Sequence, residues 1–248
     1  MVGNGEPAPD TESSASAPDL VGLYSSILVV ATTVVTFSLA IIAVPNSGAG
    51  CRQDCFDYPY LNTLSQFPRD YLWMPSAMLL VVVYVALVAS VHTYAGSQRK
   101  VYSLIGLSFA LISSGVLLGN YFVQFSVVPV SLSNGETEGI PLLTQYNPHG
   151  IFIVLEELGY LLMALSFPFL AAALAGTGRL QRSVRWVFVS GFVLAIGSFA
   201  AISAGYGLER LDRFEVAIIS IDWLVLVVNG ALLAFVFGRR LRSGASGG

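Results

Sequence analysis

Six apolar runs, each of about twenty residues, limit this chain to folds that live in a bilayer. They cover Leu23–Val44, Trp73–Tyr94, Ser103–Val128, Pro148–Ala175, Trp186–Tyr206 and Val216–Gly238. As helices, such runs cross roughly 30 Å of hydrocarbon. Lipid offers the backbone no hydrogen-bond partners, so the runs must be helices, whose peptide groups satisfy one another. The short alternating segments of an outer-membrane barrel are absent. Only 11% of the 248 residues are charged, against about 25% in a soluble domain. The sequence predicts an all-α, polytopic membrane protein whose six transmembrane helices form one domain over residues 21–242. No nucleotide loop and no basic nucleic-acid patch is found, so the lipid bilayer is the expected partner.

The segment "GNGEPAPDTESSASAPD" is rich in Pro, Ser, Ala and acid. It predicts a disordered tail over residues 1–20, and "SGASGG" a disordered end over 243–248. The first run lacks a basic n-region and is too long for a signal-peptide core, so it is read as an uncleaved span. Orientation follows from basic residues. Arg99, Lys100, Arg179, Arg182, Arg185, Arg239, Arg240 and Arg242 fall on one side. Arg52, Arg69, Arg210 and Arg213 fall on the other, among eight acids. The positive-inside rule therefore expects a plasma-membrane protein with both termini cytoplasmic.

Both cysteines lie in "CRQDC", in the first outer loop. A Cys51–Cys55 disulfide is the leading reading on an oxidising face, with free thiols as the alternative. No His is nearby in the sequence to complete a four-ligand metal site, and the spacing is not Cys-x-x-Cys. In the following "FDYPYLNTLSQFPRDYLWMP", Tyr60, Leu61, Leu64 and Phe67 share a helical face that Pro68 closes. A short interfacial helix is expected there, with Tyr71 and Trp73 as belt residues; a lid over a cavity is the functional alternative.

Acids inside the spans carry the chemical signal. With Asn147 as N-cap and Pro148 opening the fourth helix, Glu156 lies about eight residues in, or ~12 Å down the axis. His149, Glu156 and Tyr160 share a face, with Glu157 turned about 100° away. Asn120 and Gln124 in span three, and Asp222 and Asn229 in span six, fall at similar depth or below. An acid at a span centre costs about 2.5–3.5 kcal/mol on insertion scales, so these groups are expected to face inward. Glu156, Glu157, Asp222, Asn120, Gln124, His149, Tyr160 and Asn229 are thus the candidate ligand- or proton-binding residues, lining an outer cavity between spans three, four and six. Polar glue between helices is the structural alternative. Gly115 and Gly119, and likewise Gly197, Ala201 and Gly205, predict close helix–helix approach. His92 and Trp186 are read as interfacial.

Adjacent glutamates are similar to the EExxxR of prenyl endopeptidases, but "EELGYL" has no Arg. Two histidines exclude three-histidine hydrolases, and His92 and His149 lie near opposite faces, where no haem could join them. No cofactor or metal is implied. The stretches "PRDYLWMPSAMLL", "IGLSFALISSGVLLGNYFVQ", "NGETEGIPLLTQYNPHGIFIVLEELGYLLMALSF" and "RFEVAIISIDWLVLVV" resemble an uncharacterised group of prokaryotic six-span integral membrane proteins. That resemblance implies six spans in one domain and no activity. The function expected is binding or translocation of a small solute, proton-linked through Glu156, Glu157 or Asp222. An intramembrane enzyme on a lipid or isoprenoid substrate and a non-catalytic accessory subunit are the alternatives. Reporter fusions check the topology: a cytoplasm-dependent reporter placed after Arg182 should be active, and one placed after Glu138 should be silent.

Overall fold

The computed structural model describes residues 17–43, 47–48, 51–174, 176 and 178–245. Each apolar run is a helix, and no strand occurs among the described residues. The long helices are α1 (Ala17–Ile42), α2 (Trp73–Tyr94), α3 (Lys100–Ser126), α4 (Ile151–Ala173), α5 (Arg179–Tyr206) and α6 (Leu211–Ala245). All six are long and apolar enough to cross a membrane. Successive helices run in opposite directions. The Cys51–Cys55 disulfide marks one end of the bundle, and the connections bearing Arg99 and Arg179 mark the other. These are called the disulfide end and the basic end.

The helices stop where their backbone donors and acceptors find local replacements. Ala95 leaves α2 in extended conformation with its N–H still on Val91 O. At the start of α5, the Gln181 side chain accepts the Gly178 N–H at 3.2 Å; a Cβ on Gly178 would stand 2.5 Å from that oxygen. Helix α4 starts at Ile151 with Gly150 as its cap, not at Pro148. Asn147 instead folds the approach: its Oδ1 accepts the His149 N–H at 2.9 Å, and its Nδ2 donates to Pro141 O. An Asx turn has thus taken the residue that the sequence offered as a cap. Ala17 to Leu20, which the expected tail over 1–20 included, are helical. Residues 1–16 lie outside the described residues. At the other end α6 runs to Ala245, past the expected boundary at 243, and 246–248 lie outside the description.

Helices α1, α2, α3, α4 and α6 pack in sequence as a ring, and α5 lies against α4 and α6. Small residues permit the closest approaches, but not those that the sequence pattern singled out. A Cβ on Gly159 of α4 would stand 2.5 Å from Leu117 Cγ of α3, and one on Gly230 of α6 2.7 Å from Val30 of α1. Gly191 does the same for α5 against Val225. Gly115, Gly119, Gly197 and Gly205 meet nothing within 4 Å. The expected tight crossings at those four glycines are therefore not formed; the spacing was right, but the faces point away from the bundle. His92 bridges α2 and α3, its Nδ1 lying 2.8 Å from Ser103 Oγ.

The short interfacial helix is present as a 3-10 turn, Leu61–Gln66, and a second turn, Arg69–Tyr71, leads into α2. Asp70 fastens this loop. Its carboxylate pairs with Arg69 Nε at 2.7 Å and accepts from Tyr146 OH at 2.8 Å, so the α1–α2 and α3–α4 connections are joined. Burial, and then this hydrogen bond, push the Tyr146 phenol well above the usual range.

Leucine at position 159 would drive into Leu117, and overpacking of this kind costs about 1–3 kcal/mol. Purified Gly159→Leu should melt roughly 2–10 °C below wild type, whereas Gly119→Leu should melt with it. Equal circular-dichroism melts for the two variants would contradict this packing.

Candidate functional site

Tyr121 of α3, Glu156 and Tyr160 of α4, and Trp223 of α6 meet in a file of hydrogen bonds. Tyr121 OH donates to Glu156 Oε1 at 2.7 Å. Trp223 Nε1 donates to Tyr160 OH at 3.1 Å, and the two phenol oxygens stand 3.1 Å apart. Tyr121 has given its hydrogen to the carboxyl, so the Tyr160 hydrogen goes to Tyr121. The file runs Trp223, Tyr160, Tyr121, Glu156, with every donor used. All four residues are buried.

The second Glu156 oxygen meets no N–H or O–H donor among the described residues. The carboxyl of Glu215, one turn into α6, lies within hydrogen-bonding reach of Glu156. Two carboxyls make such a bond only with a proton between them. This pair is the chemical centre of the site.

Glu156 and Glu215 line a cavity of about 780 Å³ at the disulfide end. Phe37 and Ile41 of α1, Trp73 of α2, Phe152 of α4, Tyr206 of α5 and Trp223 of α6 give it aromatic and aliphatic walls. Its charged lining is Asp70, Glu156, Asp212 and Glu215 against Arg213. That guanidinium is engaged, 4.5 Å over the Tyr206 ring and bonded to Glu209 O. The Glu156–Glu215 pair shares one proton and Asp70 is paired with Arg69, so the lining carries only a small excess of negative charge over Arg213, which favours cations. No group of three His, Cys, Asp or Glu is placed to hold a metal ion among the described residues.

Of the residues singled out in the sequence, Glu156 lines this cavity and the other seven do not. Glu157 turns away to Arg210, 2.7 Å from Nη2. That guanidinium also lies over Phe199 and Phe214, at 5.1 and 5.7 Å. Asn120 Nδ2 donates to Phe152 O at 2.9 Å. Gln124 Nε2 reaches Tyr71 OH at 3.4 Å. Both serve as polar ties from α3, and span three contributes no wall to the cavity, contrary to expectation. His149 is exposed at the loop. Tyr160 stands behind Glu156 in the file.

Asp222 and Asn229 are fully buried on one face of α6, below the cavity. Their four side-chain oxygen and nitrogen atoms have no hydrogen-bond partner among the described residues. Polar groups therefore continue inward from the cavity along α6.

Sequence reasoning missed Tyr121, Glu215, Trp223 and Arg210. Glu215 had a readable signal, standing seven residues before Asp222 on the same face. Tyr121 and Trp223 had none, because aromatic residues in spans are routine core and belt material. No protein-family model, no curated protein and no solved structure matches this chain.

Removing one partner of a buried ion pair costs about 3–5 kcal/mol. The Arg210 side chain is 30% exposed, and solvent screening reduces this to roughly 1–3 kcal/mol. Arg210→Gln should lose that much stability, and adding Glu157→Gln should restore most of it. A double-mutant cycle on thermal melts reads the coupling, and additive losses would show the pair to be unimportant.

Proposed function

We propose that this chain binds a small cationic solute in the cavity at its disulfide end, with occupancy linked to proton exchange on the Glu156–Glu215 pair. The observation that carries this reading is the carboxyl pair itself, held at the cavity wall by the Tyr121 phenol at the end of a hydrogen-bond file drawn from three helices. A tie between helices needs no second carboxyl. Amide side chains would make the same bonds without the cost of burying an acid. A carboxyl pair facing a cavity instead offers a site where a cation takes the place of a proton. Aromatic walls add cation–π attraction for a substituted ammonium.

Eight of the twelve basic residues fall at the opposite end, which supports a cavity opening away from the cytoplasm in the plasma membrane. The inward row of Asp222 and Asn229 supports movement of the proton, or of the solute, further into the bundle. Among the described residues no Cys and no His lines the cavity beside the pair, which favours binding over catalysis.

Calorimetry in nanodiscs tests this reading, with methylammonium as the probe in buffers of different ionisation enthalpy. Binding should release up to about one proton per cation and should weaken as pH falls, because protons compete for the same oxygens. Glu156→Gln and Glu215→Gln should each abolish the proton release. Methylammonium binding without proton release, or binding that survives both substitutions, would overturn the reading.

A further inference from the structure

The cavity is not walled evenly. Helices α1 and α6 touch closely toward the basic end, where Gly22 receives the Phe237 ring and Gly230 backs onto Ser26 and Val30. Toward the disulfide end the same two helices no longer interlock. There Phe37, Ala40 and Ile41 of α1, and Val216, Ile219 and Ser220 of α6, line the cavity. The Phe37 and Trp223 rings, 6.0 Å apart and edge to face, close the inner end of this gap.

The direction of the gap follows from helix geometry. At about 100° per residue, Asp212 and Gly230 share the line of α6 that faces α1. Glu215 and Asp222 lie about 60–80° to the inner side of that line; Val216, Ser220 and Arg213 lie about 40–100° to the other side. Leu224, further round on that other side, is 63% exposed, and Val216 is 60% exposed. In a membrane-spanning bundle such apolar exposure faces acyl chains. Cavity lining thus extends around α6 from the inner carboxyls to the lipid-facing surface. On α1, Phe37 and Ile41 are also exposed.

Depth agrees with this opening. Glu156 lies five residues into α4 and Glu215 four into α6, or roughly 6–8 Å below the helix ends. A charged headgroup belongs at that level and an alkyl chain below or beside it.

We infer that the cavity opens sideways into the bilayer between α1 and α6, and that its ligand is an amphiphilic amine. The ammonium group sits at the Glu156–Glu215 pair, and the apolar chain leaves past Phe37, Ile41, Val216 and Ile219. The inference rests on the cation-binding reading above and adds the tail and its route. The excess of carboxyls over guanidinium in the lining disfavours an anionic amphiphile.

Photolabelling of the wild-type chain in nanodiscs tests it, using dodecylammonium with a diazirine at the fifth carbon. Label should map by mass spectrometry to α1 around Ile41 and to α6 around Val216 and Ser220. With methylammonium at roughly ten times its Kd, that label should fall about tenfold, since both compete for one ammonium site. The matching dodecyl phosphate probe should leave this region unlabelled. Label scattered over the lipid faces of α3 and α5 and insensitive to methylammonium would overturn the lateral route; proton-linked methylammonium binding would then stand on its own. Label competed by methylammonium but buried around Tyr121 would place the chain inside the bundle and overturn the route as well. Failure of methylammonium to bind at all would remove both readings, and equal labelling by the phosphate probe would remove the amine.

Discussion

A carboxyl held away from water needs donors, a counter-charge or a second carboxyl, and Glu156, Glu157 and Asp70 divide along those lines, whereas Asp222 meets no hydrogen-bond partner among the described residues. Glu156 has a phenol on one oxygen and Glu215 beside the other. Glu157, one residue on and about 100° round the helix, has a guanidinium. Asp70 has both a guanidinium and a phenol. Each solution recruits a different helix or loop, and together they hold the disulfide end in register. The adjacent glutamates of α4 thus do unlike jobs: Glu157 anchors the connection before α6, and Glu156 faces the cavity.

The basic end is built differently. Glycines at 22 and 230 let α1 and α6 close on one another, the Tyr94 and Phe237 rings meet, and Arg240 lies over Tyr94. Apolar packing and small residues complete that half of the ring. The disulfide half trades such packing for a cavity and for polar ties that fix its rim. Thr36 Oγ1 donates to Ser76 Oγ at 2.7 Å, fastening α1 to α2 beside the opening. The α1–α2 seam is therefore latched at the level at which the Phe37 and Trp223 rings of α1 and α6 meet.

Sequence alone revealed the spans, the interfacial turn and the disulfide, because each rests on local pattern: length, spacing or proximity. It revealed less of the site, because a site is made by faces meeting. Asn120 and Gln124 are polar at the right depth, yet their amide nitrogens donate to a backbone carbonyl and to a phenol, and neither side chain lines the cavity. Gly115 and Gly119 show how a spacing rule can name a close-packing stripe without naming its partner. Glu215 was counted with the loop acids because it stands at a helix start, where charge is ordinary. Its meaning came from Glu156, which only the tertiary structure brings near.

The hydrogen-bond file also has an order in time. Tyr121 precedes Glu156 in the chain, so the first donor is made before the acid that needs it. Glu215 and Trp223 come about sixty residues later, on the last helix. At ribosomal speeds of about 5–20 residues per second, Glu156 waits on the order of 3–12 s for them. During that interval the nascent chain carries a half-solved acid in its fourth span, with only the first three spans to shield it. Helix α5 brings Arg210 at its exit for Glu157, and α6 follows at once. The last two spans therefore act as a closing hairpin, and a chain released before it emerges would leave its acids to whatever insertion factor stands beside it.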